Sequence, residues 1–252
     1  MSSGVHSKAV ENAAEFCEVS CLEPMNLLIL GRGKTGSLVA EVAAAGRHHV
    51  TAAGSKENAA NAALAAENLQ DIDAVIDFTT PHAVLAHIEA CVRAGKNMVV
   101  GTTGWYGERD RIRDLVESHG TGFVYAPNFS LGVNLFLELA RTSAAALKHG
   151  YSGQIFERHH VHKKDAPSGT AIAMQRVMRA ASGDAEPVEI TSFREGEVVG
   201  MHEIVLESAA DRIYLCHDAK SRRGFAEGAV RAAEWLHGKK GFYEFQDVWR
   251  DV

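Results

Sequence analysis

Between Glu157 and Asp165 the chain sets His159, His160 and His162 beside Lys163 and Lys164, with a carboxylate at each end. Imidazoles give or take a proton near neutral pH, and ammonium groups attract anions. The run leads into Ala166-Pro167-Ser168-Gly169-Thr170, a turn that opens an apolar helical pattern from Ser168 to Ala181. With Ser168 near the N-cap, the helix start adds backbone N–H donors to the lysine charge. This grouping points to an anionic ligand that receives a proton, rather than to a solvated polar loop. His159, His160 and His162 with Glu157 and Asp165 also have the donor types of a zinc site, as in a metal-dependent hydrolase.

The elements around this segment must aim it. Gln154 to Val161 reads as a strand, and alternation sets Glu157, His159, Val161 and Lys163 on one face. His160, His162 and Lys164 take the other, so His160 joins His159 only if the chain bends. Val188 to Phe193, His202 to Ser208 and Arg212 to His217 read as further strands, giving a second α+β domain with a mostly antiparallel sheet. Asn134 to Leu147 is expected to be a helix with Leu135, Leu139 and Ala146 on its apolar stripe.

The first half has a different pattern. Asn26 to Leu30 is an apolar run suited to a buried parallel strand. Gly31-Arg32-Gly33-Lys34-Thr35-Gly36 follows at once, then Leu38, Val39, Val42 and Ala43 at helical spacing, with Gly46 as the C-terminal cap. Glycines between a strand and a helix permit a tight turn and close approach of a pyrophosphate to helix N–H groups. After the second strand, His49 to Ala53, Ser55 and Lys56 stand where a carboxylate would hold an adenosine ribose. A hydroxyl and a cation suit a 2′-phosphate, while Glu57 next door keeps an unphosphorylated ribose open. Glu57 to Glu67 reads as an alanine-rich helix. Strands at Ile72 to Phe78, Asn97 to Val100 and Gly122 to Tyr125 alternate with helices at Pro81 to Ala94 and Arg109 to His119. This implies an α/β, Rossmann-like, doubly wound parallel sheet. Thr79 and Thr80, Gly101 to Gly104, and Ala126 to Phe129 all fall at its carboxyl edge, where ligands lie. Ala229 to Leu236 is a further helix, and Phe242 to Phe245 a short turn or strand.

A net charge of −6 over 252 residues gives no general attraction to nucleic acid or anionic membranes, so an anion site must be locally positive. Cys17, Cys21, Cys91 and Cys216 lack C-x-x-C spacing and read as free thiols in a reducing, cytoplasmic compartment. No run approaches the ~18 apolar residues of a spanning helix. Residues 1–24 carry no apolar signal core and are expected to be a short extension, with Met25 a candidate natural start.

From Glu157 to Ala171 the pattern resembles the signature of the dihydrodipicolinate reductase (4-hydroxy-tetrahydrodipicolinate reductase) family. Phe78 to Pro81, Gly101 to Gly104, Ala126 to Asn134, Arg194 to His202 and Ser221 to Ala233 are similar to further family segments, in family order. The resemblance runs from Met25 to the C-terminus. It implies NADPH- or NADH-dependent reduction of a cyclic imine dicarboxylate, with loss of water, on the diaminopimelate route to lysine. It also implies a homotetramer joined through the second domain; the charge and hydropathy above give the expectation of no nucleic-acid or membrane partner. On the same grounds His159 is the general acid, and Lys163 a second proton donor and substrate cation. His160 and Ser168, Gly169 and Thr170 hold carboxylates. Gly31, Gly33, Lys34, Thr35 and Gly36 take the pyrophosphate, with Ser55 and Lys56 at the adenosine end. Phe78, Thr79, Gly101, Thr102, Thr103, Ala126, Pro127, Asn128 and Phe129 place the nicotinamide. The domains implied are 25–129 with 218–252 for the dinucleotide and 130–217 for substrate and assembly. Two other readings remain: a different nicotinamide-dependent dehydrogenase of an amino or hydroxy acid, and a non-catalytic nucleotide sensor. Ser55 and Lys56 depart from the family's Glu-Arg-like pair and leave NADPH against NADH open.

Overall fold

The computed structural model describes residues 23–183 and 186–252; the expectations for residues 1–22 lie outside them. Strand β1 (Asn26–Leu30) shows why the first half folds as it does. Leu27 and Ile29 enter one hydrophobic core and Leu28 and Leu30 the other, so an unbroken apolar run fits a strand covered on both faces. Full burial of each such side chain stabilises by roughly 1.5–3 kcal/mol. Helix α1 (Lys34–Ala45) follows, then β2 (His49–Ala53), a short helix α2 (Ala66–Leu69) and β3 (Ala74–Asp77). Next come α3 (Val84–Arg93), β4 (Asn97–Val100), α4 (Arg109–His119) and β5 (Gly122–Tyr125).

The second unit contains α5 (Leu131–Ser143), β6 (Ser152–His159), α6 (Gly169–Ser182), β7 (Glu189–Arg194), β8 (Met201–Glu207) and β9 (Arg212–Asp218). The chain then returns through α7 (Arg223–Leu236), β10 (Gly241–Glu244) and α8 (Phe245–Val248). All strands of the first sheet are parallel, in the order β10-β5-β4-β3-β1-β2. Because β1 lies between β2 and β3, the strand order reverses beside it, and the loops after β1 and β3 diverge there to leave a crevice. Helix α7 packs against α1 on one face of this sheet, so the C-terminal segment belongs to the first core. The second sheet runs β7-β6-β8-β9 and is mixed: β6 pairs with β7 in parallel, and the other two pairs are antiparallel.

Two expectations change. The alanine-rich Glu57 to Glu67 is not one α-helix but a 3-10 stretch over Ala59–Leu64, with Ala60 and Asn61 at positive φ, followed by α2. Glu57 accepts from Gly54 N at 2.9 Å and Asn58 Oδ1 from Ala63 N at 3.1 Å, and such local side-chain bonds compete with a helical ladder. On α5 the buried stripe is Val133, Phe136, Leu137 and Ala140, whereas Leu135 and Leu139 are exposed. That helix starts three residues before Asn134, is apolar nearly all round, and ends at Ser143, where a 3-10 turn takes over. Gly46 caps α1 as expected, with the left-handed residue one position later at Arg47. Phe242 to Glu244 form the expected short strand, within β10, the sixth parallel strand, and Phe245 opens α8.

Candidate active site

Three adjoining cavities follow the carboxyl edge of the parallel sheet. The first, of about 750 Å³, is lined by Gly31, Arg32, Gly33, Ser55, Lys56, Glu57, Phe78 and Thr79. The second, of about 280 Å³, shares Gly33, Phe78 and Thr79 with it and adds Lys34, Thr35, Gly36, Gly101, Thr102 and Thr103. The third, of about 520 Å³, shares Thr103 and runs to His159, Lys163 and Ser168 of the second unit. The β1–α1 turn is shaped for close approach. Gly31 has φ +103°, and a Cβ there would stand 2.2 Å from Phe78 O; one on Gly36 would stand 2.1 Å from Gly31 O. Helix α1 begins without a side-chain cap or an acidic residue in its first turn, so its N–H groups and dipole are left for an anion. These features fit the pyrophosphate of a dinucleotide, with Arg32, Ser55 and Lys56 at the far end for an adenosine phosphate. Arg32 Nη1 lies 3.2 Å from Glu57, whose carboxylate also accepts Gly54 N–H.

The third cavity is built around the end of β6. Glu157 is fully buried and His159 nearly so. The carboxylate stands against His159 Nδ1 and 2.9 Å from Arg194 Nη2. An anion on Nδ1 keeps a proton there and leaves Nε2 as the working nitrogen. Nε2 lies beside Gly200, where a Cβ would come within 3.0 Å of it. Burial lowers the His159 pKa, opposed by Glu157, while Lys163 and Arg194 lower it further. Burial would raise the Glu157 pKa, but Ser192, Arg194 and His159 outweigh it and hold the carboxyl below its ordinary value. Arg194 also donates from Nη2 to Asp165 O at 2.6 Å, so the guanidinium that steadies Glu157 anchors the next loop.

That loop resolves the direction of His160. The strand stops at His159; Val161 N donates to Gly196 O and Lys163 N to His160 O, so the chain turns and alternation ends. His160, His159 and Lys163 therefore line one cavity. His160 Nε2 lies 3.5 Å from Arg222 Nη2, and Lys163 Nζ donates to both Asp165 oxygens at 2.8 Å. Ser168 caps α6 by accepting Ala171 N–H at 3.2 Å and lies 3.1 Å from His202 Nε2. Its hydroxyl is thus engaged, and the first-turn N–H groups of Gly169 and Thr170 are the donors left for a carboxylate.

The family model for the N-terminus of dihydrodipicolinate reductase matches residues 25–129, and that for its C-terminus matches 132–249. The chain belongs to the dihydrodipicolinate reductase family. Members are NAD(P)H-dependent oxidoreductases of lysine biosynthesis, and this chain is one of them. It is 37% identical over 240 residues to 4-hydroxy-tetrahydrodipicolinate reductase of Christiangramia forsetii, covering 90% of this chain and 99% of the relative. It is 42% identical over 195 residues to the enzyme of the same name from Laribacter hongkongensis, covering 70% and 72%. A dipicolinate-bound dihydrodipicolinate reductase from Paenisporosarcina sp. TG-14 shares the fold, with a TM-score of 0.75 at 22% identity, covering 90% of this chain and all of that one.

In this member of the dihydrodipicolinate reductase family, the expected site residues line the three cavities with two exceptions. Ala126 and Phe129 are core residues; the Phe129 ring packs 6.2 Å from Phe78 and 4.8 Å from Phe245, so it bears on the track only through Phe78. Thr102 lines the second cavity, but its hydroxyl donates to Asp77 at 2.6 Å and accepts Thr79 N–H at 2.7 Å. Arg222, His202 and His217 also line the third cavity, without a role expected for any of them. Arg222 stands in a family-like segment, and its approach to His160 sets its guanidinium on the cavity wall. Among the described residues, the grouping with metal-ligand geometry is Glu157, His159 and His202, their donor atoms within 4.8 Å of one another. The zinc set foreseen with His162 and Asp165 does not assemble: Asp165 faces Lys163 and His162 is exposed toward Glu197. Arg194 already pairs with the carboxylate that Glu157 would offer a cation.

His202 carries a stability prediction. Burial, reinforced by His159, lowers its pKa from 6.5 to about 4. The unfolded chain then binds a proton below pH 6.5 that the folded one refuses until about pH 4, so stability falls on acidification across that window. The loss reaches on the order of 3 kcal/mol from this group. Denaturant titrations at pH 7 and pH 4.5 should show a steeper loss for the native chain than for His202→Gln. Parallel curves would deny His202 this part.

Proposed function

We propose that the chain reduces 4-hydroxy-tetrahydrodipicolinate to tetrahydrodipicolinate with loss of water, with His159 as general acid and Lys163 as the substrate's cation and a second proton donor. The observation that supports this most is the continuous track from Lys56, through the open start of α1, to Thr103 and His159. NAD(P)H supplies the hydride at its nicotinamide end. The remaining work falls to side chains. Lys163, Arg222 and His160, with the N–H groups of Gly169 and Thr170, give a dianion a positive pocket in a chain of net charge −6. His159 delivers the balancing proton from Nε2, and Glu157 stabilises the imidazolium before transfer. The dipicolinate bound by the Paenisporosarcina protein is a planar dicarboxylate of the kind this pocket suits.

Residues 25–129 with 218–252 form the dinucleotide domain in this reading, and 130–217 the substrate and assembly domain. The homotetramer would pair through the second sheet, whose β7 and β9 expose Phe193 and Tyr214. A cytoplasmic location agrees with Cys91 and Cys216 as free thiols and with the supply of NAD(P)H.

The test is oxidation of NADPH and of NADH coupled to freshly made dihydrodipicolinate synthase product. Turnover with at least one cofactor is expected, and none with either would overturn the proposal. Lys56 and Arg32 suit a 2′-phosphate, while Glu57 suits a free ribose, so Lys56→Ala should raise the KM for NADPH roughly 10-fold and leave that for NADH within about twofold. Equal effects on both cofactors would remove Lys56 from the phosphate site.

A further inference from the structure

Under the cofactor track lies a side-chain network that the reaction above does not use. Asp77, the last residue of β3, is fully buried, and its Oδ2 lies 2.7 Å from His87 Nδ1. Oδ1 accepts from Thr79 N at 3.0 Å, Thr79 Oγ1 at 2.8 Å and Thr102 Oγ1 at 2.6 Å. A carboxylate taken out of water is costly unless its lone pairs are filled, and here four donors fill them. His87 Nε2 in turn lies 3.0 Å from Asn58 Nδ2.

The orientation of Asn58 fixes the protons. Its Oδ1 accepts Ala63 N–H at 3.1 Å, so Nδ2 is the end that meets His87. An amide nitrogen only donates, which makes Nε2 the acceptor and places the ring proton on Nδ1, directed at Asp77. One relay therefore runs from Ala63 N–H through Asn58 and His87 to Asp77, where it meets Thr79 and Thr102. Asn58, Thr79 and Thr102 sit on the loops after β2, β3 and β4, and His87 on α3. Asn58, His87 and Thr79 line the first cavity, and Thr79 and Thr102 the second.

We propose that Asp77 and His87 are positioning residues that lock the adenosine-end loop to the two nicotinamide-side loops, and so set the affinity for the whole dinucleotide. The inference rests on reading the track as the cofactor site. A carboxylate needed only for folding has no reason to be joined, through a histidine on the cavity wall, to a partly exposed asparagine 19 residues earlier in the chain. The loops that close on opposite ends of the ligand are tied to one another instead.

The experiment measures NADPH and NADH dissociation by fluorescence titration of the full chain, together with steady-state kinetics. His87→Leu removes the donor to Asp77 and is expected to weaken both cofactors ~10-fold. Its kcat at saturation should stay within about threefold, and the KM for the dicarboxylate substrate should be nearly unchanged. His87→Asn keeps an N–H close to the Nδ1 position but loses the acceptor for Asn58, so it should recover to the level of Asn58→Ala. Asn58→Ala, on a partly exposed loop, repeats the test should His87→Leu fail to fold, with ~3-fold weakening expected. Unchanged cofactor affinity in His87→Leu or, in its place, Asn58→Ala would overturn the proposal, as would a lowered melting temperature with binding intact. Weakening in His87→Asn greater than that in Asn58→Ala would assign the effect to direct ring contact and would also overturn it. A native chain that binds neither nucleotide would instead refute the cofactor reading of the track.

Discussion

Replacing His159 with glutamine is expected to lower kcat about 10²- to 10⁴-fold while leaving the KM for both substrates within a few-fold. Glutamine fills most of the same space beside Gly200 and Glu157 but carries no proton to give. The pH dependence tests the assignment separately. Burial, with Lys163 and Arg194, holds the His159 pKa below its ordinary 6.5 in the free protein, against the pull of Glu157. The acid form is the competent one, so kcat/KM should fall as pH rises through that lowered value, and this limb should vanish in His159→Gln. Arrival of a dianionic substrate favours the imidazolium, so the limb seen in kcat should lie at higher pH than that seen in kcat/KM. A variant with native kcat, or one that keeps the limb, would take the proton-donor role from His159.

Lys163→Ala should cost at least ~10²-fold in kcat/KM, divided between a higher KM for the dicarboxylate and a lower kcat. Two effects act in the same direction. The ammonium that meets the substrate is lost, and Asp165, whose carboxyl Lys163 holds below its ordinary pKa by direct hydrogen bonds, is left as an unpaired anion beside the pocket. Competition by dipicolinate should weaken in parallel. Lys164→Ala is the control, because that side chain is exposed and lies outside the cavity, and it should behave as the native chain. Equal losses in the two alanine variants would show that only bulk charge matters, and not the position of Lys163.

The sequence by itself determined the parallel sheet, the glycine turn after β1 and the segment in which histidines and lysines cluster. Each rests on short-range rules. An apolar run such as Leu27 to Leu30 suits only a strand buried on both faces. Gly36 occupies a place where a Cβ would strike Gly31 O within the same turn. Ser168 caps the helix that starts at the next residue, accepting the N–H three residues on. The dense histidines and lysines after Glu157 need no partner from elsewhere to be noticed. Local rules failed where side chains had a choice of partner. Alanines from Ala59 to Ala66 favour a helix, yet Glu57 and Asn58 bind nearby N–H groups and break it. Leu135 and Leu139 make as good a stripe as Val133, Phe136, Leu137 and Ala140, and only the position of α6 and the second sheet selects between them.

Tertiary structure alone decided how the site is assembled. Strand alternation put His160 opposite His159, and the turn held by Gly196 O brought the two together. Glu157 looked like one more charge in a polar run, yet it lies wholly buried between His159 and an arginine 37 residues away in the chain. Arg222, His202 and the Asp77–His87 relay were equally invisible, since their partners come from other strands and loops. Spacing can reveal which residue types are near one another along the chain. Which nitrogen holds a proton, and which cation meets the substrate, depends on contacts that exist only once separate elements have packed.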